Sequence, residues 1–410
     1  MLPATSVAGQ GLSAVKVLYV ASAVEAGGTS GGSTHVSEVA CGLAALGHKV
    51  LVVARPASPE TVSKLECGVP VRASRWRKEL ALLGLPQVAR AIRSFKPDVV
   101  MERFYNFAGA GVLLAHRKGI PSLLEVNAPM MDPPGSLKSK VDRVLLGTMR
   151  RWAVRQAKWS AAIVTPLAAT VPPEVARHKI AELPWGANVE RFDPAIKREH
   201  ASRLEELAAE LGLERGVPVV AFLGSFRAWH GVGHFAEAAR RILESGREVA
   251  FLAIGGGPEL ESLREKVAGW GLPPGRFVFA GPQPHERVPE LLALAHVGVA
   301  PFDLSAHPPL TTFGFYWSPL KVFEYMAMGL PVVTVDVAPL NEIARHEREA
   351  LLYSPGDMGG LVGAIERLGG DQELRYKLGV AGRVRVTERY SWQAHCVALD
   401  KLLRKITHAR

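Results

Sequence analysis

The clearest chemical signal lies in Ser318-Pro319-Leu320-Lys321-Val322-Phe323-Glu324-Tyr325-Met326-Ala327-Met328-Gly329-Leu330-Pro331. The pattern predicts a helix that runs straight into a buried strand. Ser318 is placed as N-cap and Pro319 as first helical residue, with Gly329 and Pro331 as the stop. Lys321 stands where a capping box has a glutamate. A cation in the first turn opposes the helix macrodipole by about 0.3–1 kcal/mol. An anionic ligand removes the conflict, because free amides and an ammonium at a helix N-terminus make a phosphate site. Glu324 follows at i+3 on the same face, placed to accept hydrogen bonds from a sugar hydroxyl beside that phosphate. A surface Lys–Glu pair on an ordinary amphipathic helix stays open as the alternative.

Two further turns have the composition of ligand loops. Gly224-Ser225-Phe226-Arg227-Ala228-Trp229-His230-Gly231 follows the apolar Phe222-Leu223, and Arg227 and His230 are of the type that grips a diphosphate. Gly255-Gly256-Gly257-Pro258-Glu259 follows Ala253-Ile254 and offers an open backbone. Each alone reads as turn chemistry; three at strand ends of one half point to one site. No DxD pair is present to hold magnesium on a diphosphate, and no His/Cys cluster has zinc spacing. Phosphate charge must then be met by the helix terminus and cationic side chains, and no cofactor or metal is expected. The absence of GxSxG and of a P-loop lowers serine hydrolase and NTPase readings.

These residues need a scaffold, and short apolar runs alternating with helical patterns predict parallel sheets of βαβ units. In the first half the strands fall at Val15–Ala21, Lys49–Ala54, Asp98–Glu102, Pro121–Val126, Ala162–Thr165 and Ile180–Leu183. In the second they fall at Pro218–Leu223, Glu248–Ile254, Phe277–Ala280, Val297–Pro301, Pro331–Val335 and Ala350–Tyr353. A glycine-rich turn, Gly27-Gly28-Thr29-Ser30-Gly31-Gly32-Ser33-Thr34-His35, separates the first strand from a helix expected at Val36–Leu46. Its spacing is not GxGxxG, and the second strand ends in Ala54-Arg55-Pro56 without an acid to hold a ribose, which argues against a dinucleotide site. The pattern restarts between Phe192 and Gly216, and a final helix at Ser391–Ile406 has no strand to serve. Two doubly wound α/β domains facing one another, with ligands in the cleft outside their strand ends, is the expected architecture.

The chain's 410 residues suit two domains of about 200 residues each. Cys41, Cys67 and Cys396 are scattered and odd in number, which argues for a reducing cytoplasm and against a disulfide frame. The apolar run Leu12–Val24 is broken by Lys16 and reads as a first strand rather than a signal peptide, and no window is long enough for a membrane span. A formal charge of +10 predicts an anionic partner. Basic residues concentrate at Arg75-Trp76-Arg77-Lys78 and over Lys138–Lys158, where Lys138, Lys140, Arg143, Arg150, Arg151, Arg155 and Lys158 meet only Asp142. With Leu145, Leu146, Met149, Trp152 and Trp159 interleaved, this segment is either a helix that touches anionic lipid or a solvated, packed helix. Nucleic acid is not expected, for want of aromatics along a basic groove.

Taken in order, these features resemble the retaining family 4 glycosyltransferases of the GT-B fold, from about Val15 to Leu399. They are Gly31-Gly32 with His35, Gly47-His48, Pro184-Trp185-Gly186-Ala187-Asn188 leading to Phe192 and Pro194, the Gly224 turn, Gly255-Gly256-Gly257-Pro258, and Glu324-Tyr325-Met326-Ala327 with Gly329 and Pro331. Met101-Glu102-Arg103 and Leu124-Glu125-Val126-Asn127-Ala128-Pro129 are similar to a sub-branch.

The resemblance implies two Rossmann-like domains, at 1–195 for the acceptor and 196–390 for the donor, with 391–410 crossing back. It implies metal-independent transfer of a sugar from a nucleotide diphosphate sugar to a hydroxyl of a glycan, lipid-linked or small-molecule acceptor, with retained anomeric configuration, in the cytoplasm. Glu324 matches the family glutamate that holds the ribose, and Gly31 and Gly32 match the loop near the donor phosphates. The family's Arg and Lys after the second domain's first strand are here Ser225 and His230, so Arg227 and Lys321 are expected to supply that charge. The first glutamate of the family's pair is Tyr316, and the first-domain histidine falls near Asn127. The expected catalytic set is therefore Arg227, Lys321, Glu324, Asn127 and His35. The expected donor-binding set is Gly31, Gly32, Gly224, Ser225, His230, Gly255, Gly257, Tyr316, Ser318, Pro319 and Leu320. Glu102, Glu125 and Asn127 are the acceptor-side candidates. A nucleotide-sugar-binding protein without transferase activity and a sugar-nucleotide epimerase of the same fold are the rival readings.

Overall fold

The computed structural model describes residues 13–28, 30–56, 63–131 and 136–408. Each half of the chain builds one parallel sheet. The first contains β1 (Lys16–Ala26), β2 (Lys49–Pro56), β3 (Val71–Ala73), β4 (Val99–Arg103), β5 (Ser122–Glu125), β6 (Ala162–Thr165) and β7 (Ile180–Glu182), in the order β3-β2-β1-β4-β5-β6-β7. The second contains β8 (Val219–Leu223), β9 (Ala250–Ile254), β10 (Phe277–Gly281), β11 (Val297–Ala300), β12 (Val332–Val335) and β13 (Ala350–Tyr353), in the order β10-β9-β8-β11-β12-β13. In both, the strand order reverses beside the first strand, at β1/β4 and at β8/β11. Crevices at such reversals are where doubly wound sheets take ligands.

The strands form because their Val, Ile, Leu and Ala runs are covered on both faces; β4, β5, β6, β9, β11 and β12 are buried almost throughout. The edge strand β3 was not expected. It has three residues, of which Arg72 and Ala73 are exposed, so it carries no apolar run.

Seven helices bear on the site: α1 (Gly31–Ala45), α2 (Ala110–Arg117), α3 (Leu137–Val144), α4 (Thr148–Trp159), α5 (Leu320–Ala327), α6 (Gln372–Arg389) and α7 (Trp392–His408). Helix α1 begins at Gly31 rather than Val36, because the Ser30 hydroxyl accepts the Ser33 N–H and caps it. The two glycines therefore open the helix instead of forming its approach. The single basic helix expected over 138–158 is two helices, α3 and α4, joined by a turn.

Phe192 and Ala187 pack in the core of the second sheet, while Trp392, Leu399 and Leu403 of α7 pack in the core around β1 and α1. The chain thus crosses between the units near Trp185 and crosses back at Ser391, where Ala187 and Ser391 form a parallel bridge. Arg383 of α6 clamps the crossing, donating to the carbonyls of Phe192 at 2.6 Å, Ala327 at 2.7 Å and Val189 at 2.8 Å.

The expectation of unpaired thiols is corrected. Cys41 on α1 is disulfide-bonded to Cys67 with a Cα–Cα distance of 5.7 Å, and Cys396 is free and buried. The turn that carries Cys67 folds back beside α1, a contact that the 26-residue spacing could not show. The inference of a reducing compartment from scattered cysteines falls with it.

Candidate active site in the interdomain cleft

A cavity of about 580 Å³ opens between the two sheets. Its first-unit wall includes Ser30, Gly31, Thr34, Asn127, Pro166 and Trp185; its second-unit wall includes Gly224, Ser225, His230, Gly255, His285, Ser318, Lys321 and Glu324.

Lys321 sits in the first turn of α5, 6% exposed, and its Nζ has no hydrogen-bond partner. The ammonium lies 4.0 Å from the Phe222 ring centroid and 5.1 Å from that of Phe302. Burial pulls its pKa down to about 7, against the opposing pull of Glu324. Cation–π contact recovers part of the lost hydration, but a buried cation without an acceptor is costly unless an anion completes it. His230 is the second orphan. Its Nδ1 is buried and unpaired, and burial, followed by Lys321 and Arg227, holds the ring's pKa down at about 3, so it stands neutral.

Gly224 makes the space between them. Its φ is +137°, and a Cβ there would stand 3.1 Å from Lys321 Nζ and 3.5 Å from His230 Nδ1. Gly255, at φ +132°, brings its turn so close that a Cβ would fall 2.0 Å from the Gly224 carbonyl oxygen. Both positions require glycine, and together they leave a cradle with two unsatisfied polar atoms on its rim.

Glu324 points into the cavity one turn along α5 and meets His285 Nε2 at 3.1 Å. Arg191 lies 3.1 Å from the other ring nitrogen, Nδ1. Arginine only donates, so Nδ1 accepts and Nε2–H donates to Glu324. Burial lowers the His285 pKa, but the Glu324 contact outweighs it and the net shift is upward.

On the first-unit wall, Asn127 donates from Nδ2 to Glu125 Oε1 and accepts from Trp185 Nε1–H at 2.8 Å. Glu125 is buried behind it, taking Tyr19 O–H at 2.5 Å and the Arg103 guanidinium at 2.7 Å.

Several expected residues stand elsewhere. Arg227 is exposed, its guanidinium 5.2 Å from the Trp229 ring, and is not on the cavity wall. His35 is fully buried behind the Trp185 ring, centroids 4.3 Å apart, with Nδ1 3.0 Å from Arg103; burial holds its pKa well below the usual histidine range. Gly32 faces Arg103, Gly257 packs on Phe226, and Tyr316 lies 3.2 Å from His307 Nε2, all off the wall. Glu102, expected on the acceptor side, is also off the cavity wall. It sits under the start of α2, accepting the N–H groups of Gly109 at 3.0 Å and Val112 at 2.7 Å, and burial raises its pKa to about 7. Ser318 does not cap α5. Its hydroxyl accepts the Trp185 N–H at 2.9 Å, Pro319 takes the cap position, and the Leu320 N–H is held by the Ser318 carbonyl at 2.9 Å. The amides expected to serve an anion are thereby partly spent, and the charge falls more heavily on Lys321. Trp185 and His285 were not singled out as site residues. The strand-end position of His285, after β10, was the available signal.

Residues 30–182 match the model of the glycosyl transferase 4-like domain, and residues 217–371 that of the glycosyl transferases group 1. The chain is 30% identical over 316 residues to 2-deoxystreptamine N-acetyl-D-glucosaminyltransferase of Streptomyces fradiae, covering 72% of this chain and 70% of that protein. It is 26% identical over 264 residues to 2-deoxystreptamine glucosyltransferase of Streptomyces kanamyceticus, covering 63% and 64%, so it spans less than two thirds of that relative's length. Among solved structures, HepE of Anabaena in complex with UDP-glucose superposes with a TM-score of 0.72 at 16% identity, covering 95% of this chain and all of that one.

Proposed function

The chain belongs to the glycosyl transferases group 1, and from that premise we propose that it moves a sugar from a nucleotide diphosphate sugar to an acceptor hydroxyl with retention, using its own cations in place of a metal. The observation that carries this reading is the buried, partnerless ammonium of Lys321 at the floor of the interdomain cavity. In it, the diphosphate occupies the cradle over Gly224, meeting Lys321 and the neutral His230, which donates one hydrogen bond from a ring nitrogen. Glu324, held by His285, takes the ribose hydroxyls. Stabilising the leaving diphosphate in a dry site is the main catalytic contribution of such an arrangement. Asn127 faces the acceptor, its amide fixed by Glu125 and Trp185.

The neighbour that binds UDP-glucose and the sugar-transferring relatives support a nucleotide sugar as donor. Among the described residues, Glu324 is the one carboxylate on the wall, which disfavours an epimerase needing an acid and a base. A donor-binding protein without transfer is the second reading, favoured by the removal of Arg227 and Tyr316 from the wall. A thermal-shift panel of UDP-, ADP-, GDP- and dTDP-sugars tests the proposal. One donor family is expected to raise the melting point and to be consumed with an acceptor. A panel without any shift contradicts donor binding, and a shift without transfer favours the second reading.

A further inference from the structure

We propose that the turn joining α3 to α4 is a docking tip for an anionic lipid surface, which deepens the transfer reading and rests on it by placing the acceptor side of the cleft at a membrane. Val144 and Leu146 are each 81% exposed, Leu145 is 46% and Val141 is 40% exposed. Four branched aliphatic side chains within six positions are thus left in water. Leu146 is also held at φ +53°, a left-handed conformation that costs a leucine free energy. Folding gains nothing from this arrangement, whereas an apolar tip that enters a lipid interface does.

The charges around the tip are mostly basic, although Arg150 in the first turn of α4 is ion-paired with Glu174. Lys140, Arg143, Arg151 and Arg155 are exposed around it. Asp142, the one acid between Lys140 and Lys158, is turned inward. Its Oδ1 accepts the Met149 N–H at 2.8 Å, and its carbonyl accepts the Gly147 N–H at 2.7 Å, so that it caps α4. The tryptophans of the segment also face the protein: Trp152 Nε1–H donates to the Ala108 carbonyl at 2.8 Å, and Trp159 stacks on His116 with centroids 4.7 Å apart. They anchor the tip and leave the aliphatics as its outer surface.

Topology fixes where the tip sits. The loop leaving the carboxyl end of β5 carries Asn127 and leads to α3, and α4 then runs back to the start of β6. The turn between them therefore lies at the cleft-facing end of the first sheet. Basic residues ringing exposed aliphatics match an anionic interface and would repel a second copy of this chain, whose formal charge is +10. Among the described residues no helix is long and apolar enough to cross a membrane.

The test is co-sedimentation of the full chain, without donor, on vesicles of phosphatidylcholine alone and of phosphatidylcholine with phosphatidylglycerol. Retention only on the anionic vesicles, weakening with salt, is expected. Lys140→Glu with Arg143→Glu is expected to weaken binding by about fivefold or more per charge, and Val144→Ser with Leu146→Ser by about tenfold or more. Both variants should keep the wild-type melt and the donor-induced shift. No vesicle binding, equal binding to neutral vesicles, or indifference to Val144→Ser with Leu146→Ser overturns the proposal. So does a dimer in sedimentation velocity that Leu146→Ser dissolves. Vesicle binding is read without turnover, so a chain that docks but never transfers sugar contradicts the transfer reading alone.

Discussion

Trp185 holds Asn127 with one group and Ser318 with another: its indole N–H donates to Asn127 Oδ1 at 2.8 Å, and its backbone N–H donates to Ser318 Oγ at 2.9 Å. One residue of the crossing segment thus ties the first-unit wall of the cavity to the start of the helix that carries Lys321. The link continues inward from Asn127 through Glu125 to Tyr19 and Arg103.

Trp185→Phe separates that tie from packing. A phenyl ring keeps the stack on His35 and the face toward Arg103, but leaves Asn127 Oδ1 without its donor. One such hydrogen bond is worth about 0.5–1.5 kcal/mol. Steady-state kinetics should show kcat lowered by about three- to tenfold with the donor KM little changed. A rise in donor KM at constant kcat would place the tie on the wrong side of the cleft.

Lys321 makes donor-free stability depend on pH. Its folded pKa of about 7 lies below the ordinary value of 10.5, so between these values the unfolded chain binds more protons than the folded one. Stability then rises with pH across that window, through the Lys321 contribution, and is penalised below it. Chemical denaturation at pH 7 and pH 9 should show this slope in the wild type and its loss in Lys321→Met, whose uncharged side chain also removes the burial penalty at pH 7. A variant with an undiminished slope would assign the charge elsewhere.

Gly224→Ala should raise the donor KM by about tenfold or more, because the methyl enters the space between Lys321 and His230 and the backbone must hold a φ that alanine resists. The same substitution at the exposed Gly246, where φ is +79° and nothing lies within 4 Å, should cost stability alone. Equal donor KM values in the two variants would show that the cradle is not where the diphosphate binds.

Glu102→Gln should lower the melting point without moving either kinetic constant. The amide turns one donor toward the N–H groups at the start of α2, at a cost of about 1–3 kcal/mol. A selective loss of kcat would return Glu102 to the acceptor side.

Much of the scaffold was legible because most strands are short, largely apolar runs, so Ala162–Thr165 and Ala350–Tyr353 were placed to the residue. Short polar-edged β3 has no such run. The Lys321–Glu324 face was readable from helical spacing, and both residues reach the cavity. What spacing could not show is which side chains are intercepted before they arrive. Arg227 lies outside on Trp229, His35 is covered by Trp185, and Glu102 is taken up by the amides of α2. Ser318 illustrates the same limit, since its partner is 133 residues away in sequence. Cys41 and Cys67 meet for a similarly nonlocal reason.

The most direct test is calorimetric titration of the wild type and Lys321→Met with the nucleoside diphosphate that stabilises the wild type most. The wild type should bind and take up a proton near pH 8, as the anion restores the Lys321 ammonium from its donor-free pKa of about 7. Lys321→Met should bind at least about a hundredfold more weakly, without the proton, in keeping with the loss of a charge-assisted contact in a dry site. Equal affinity in the two proteins would contradict the account.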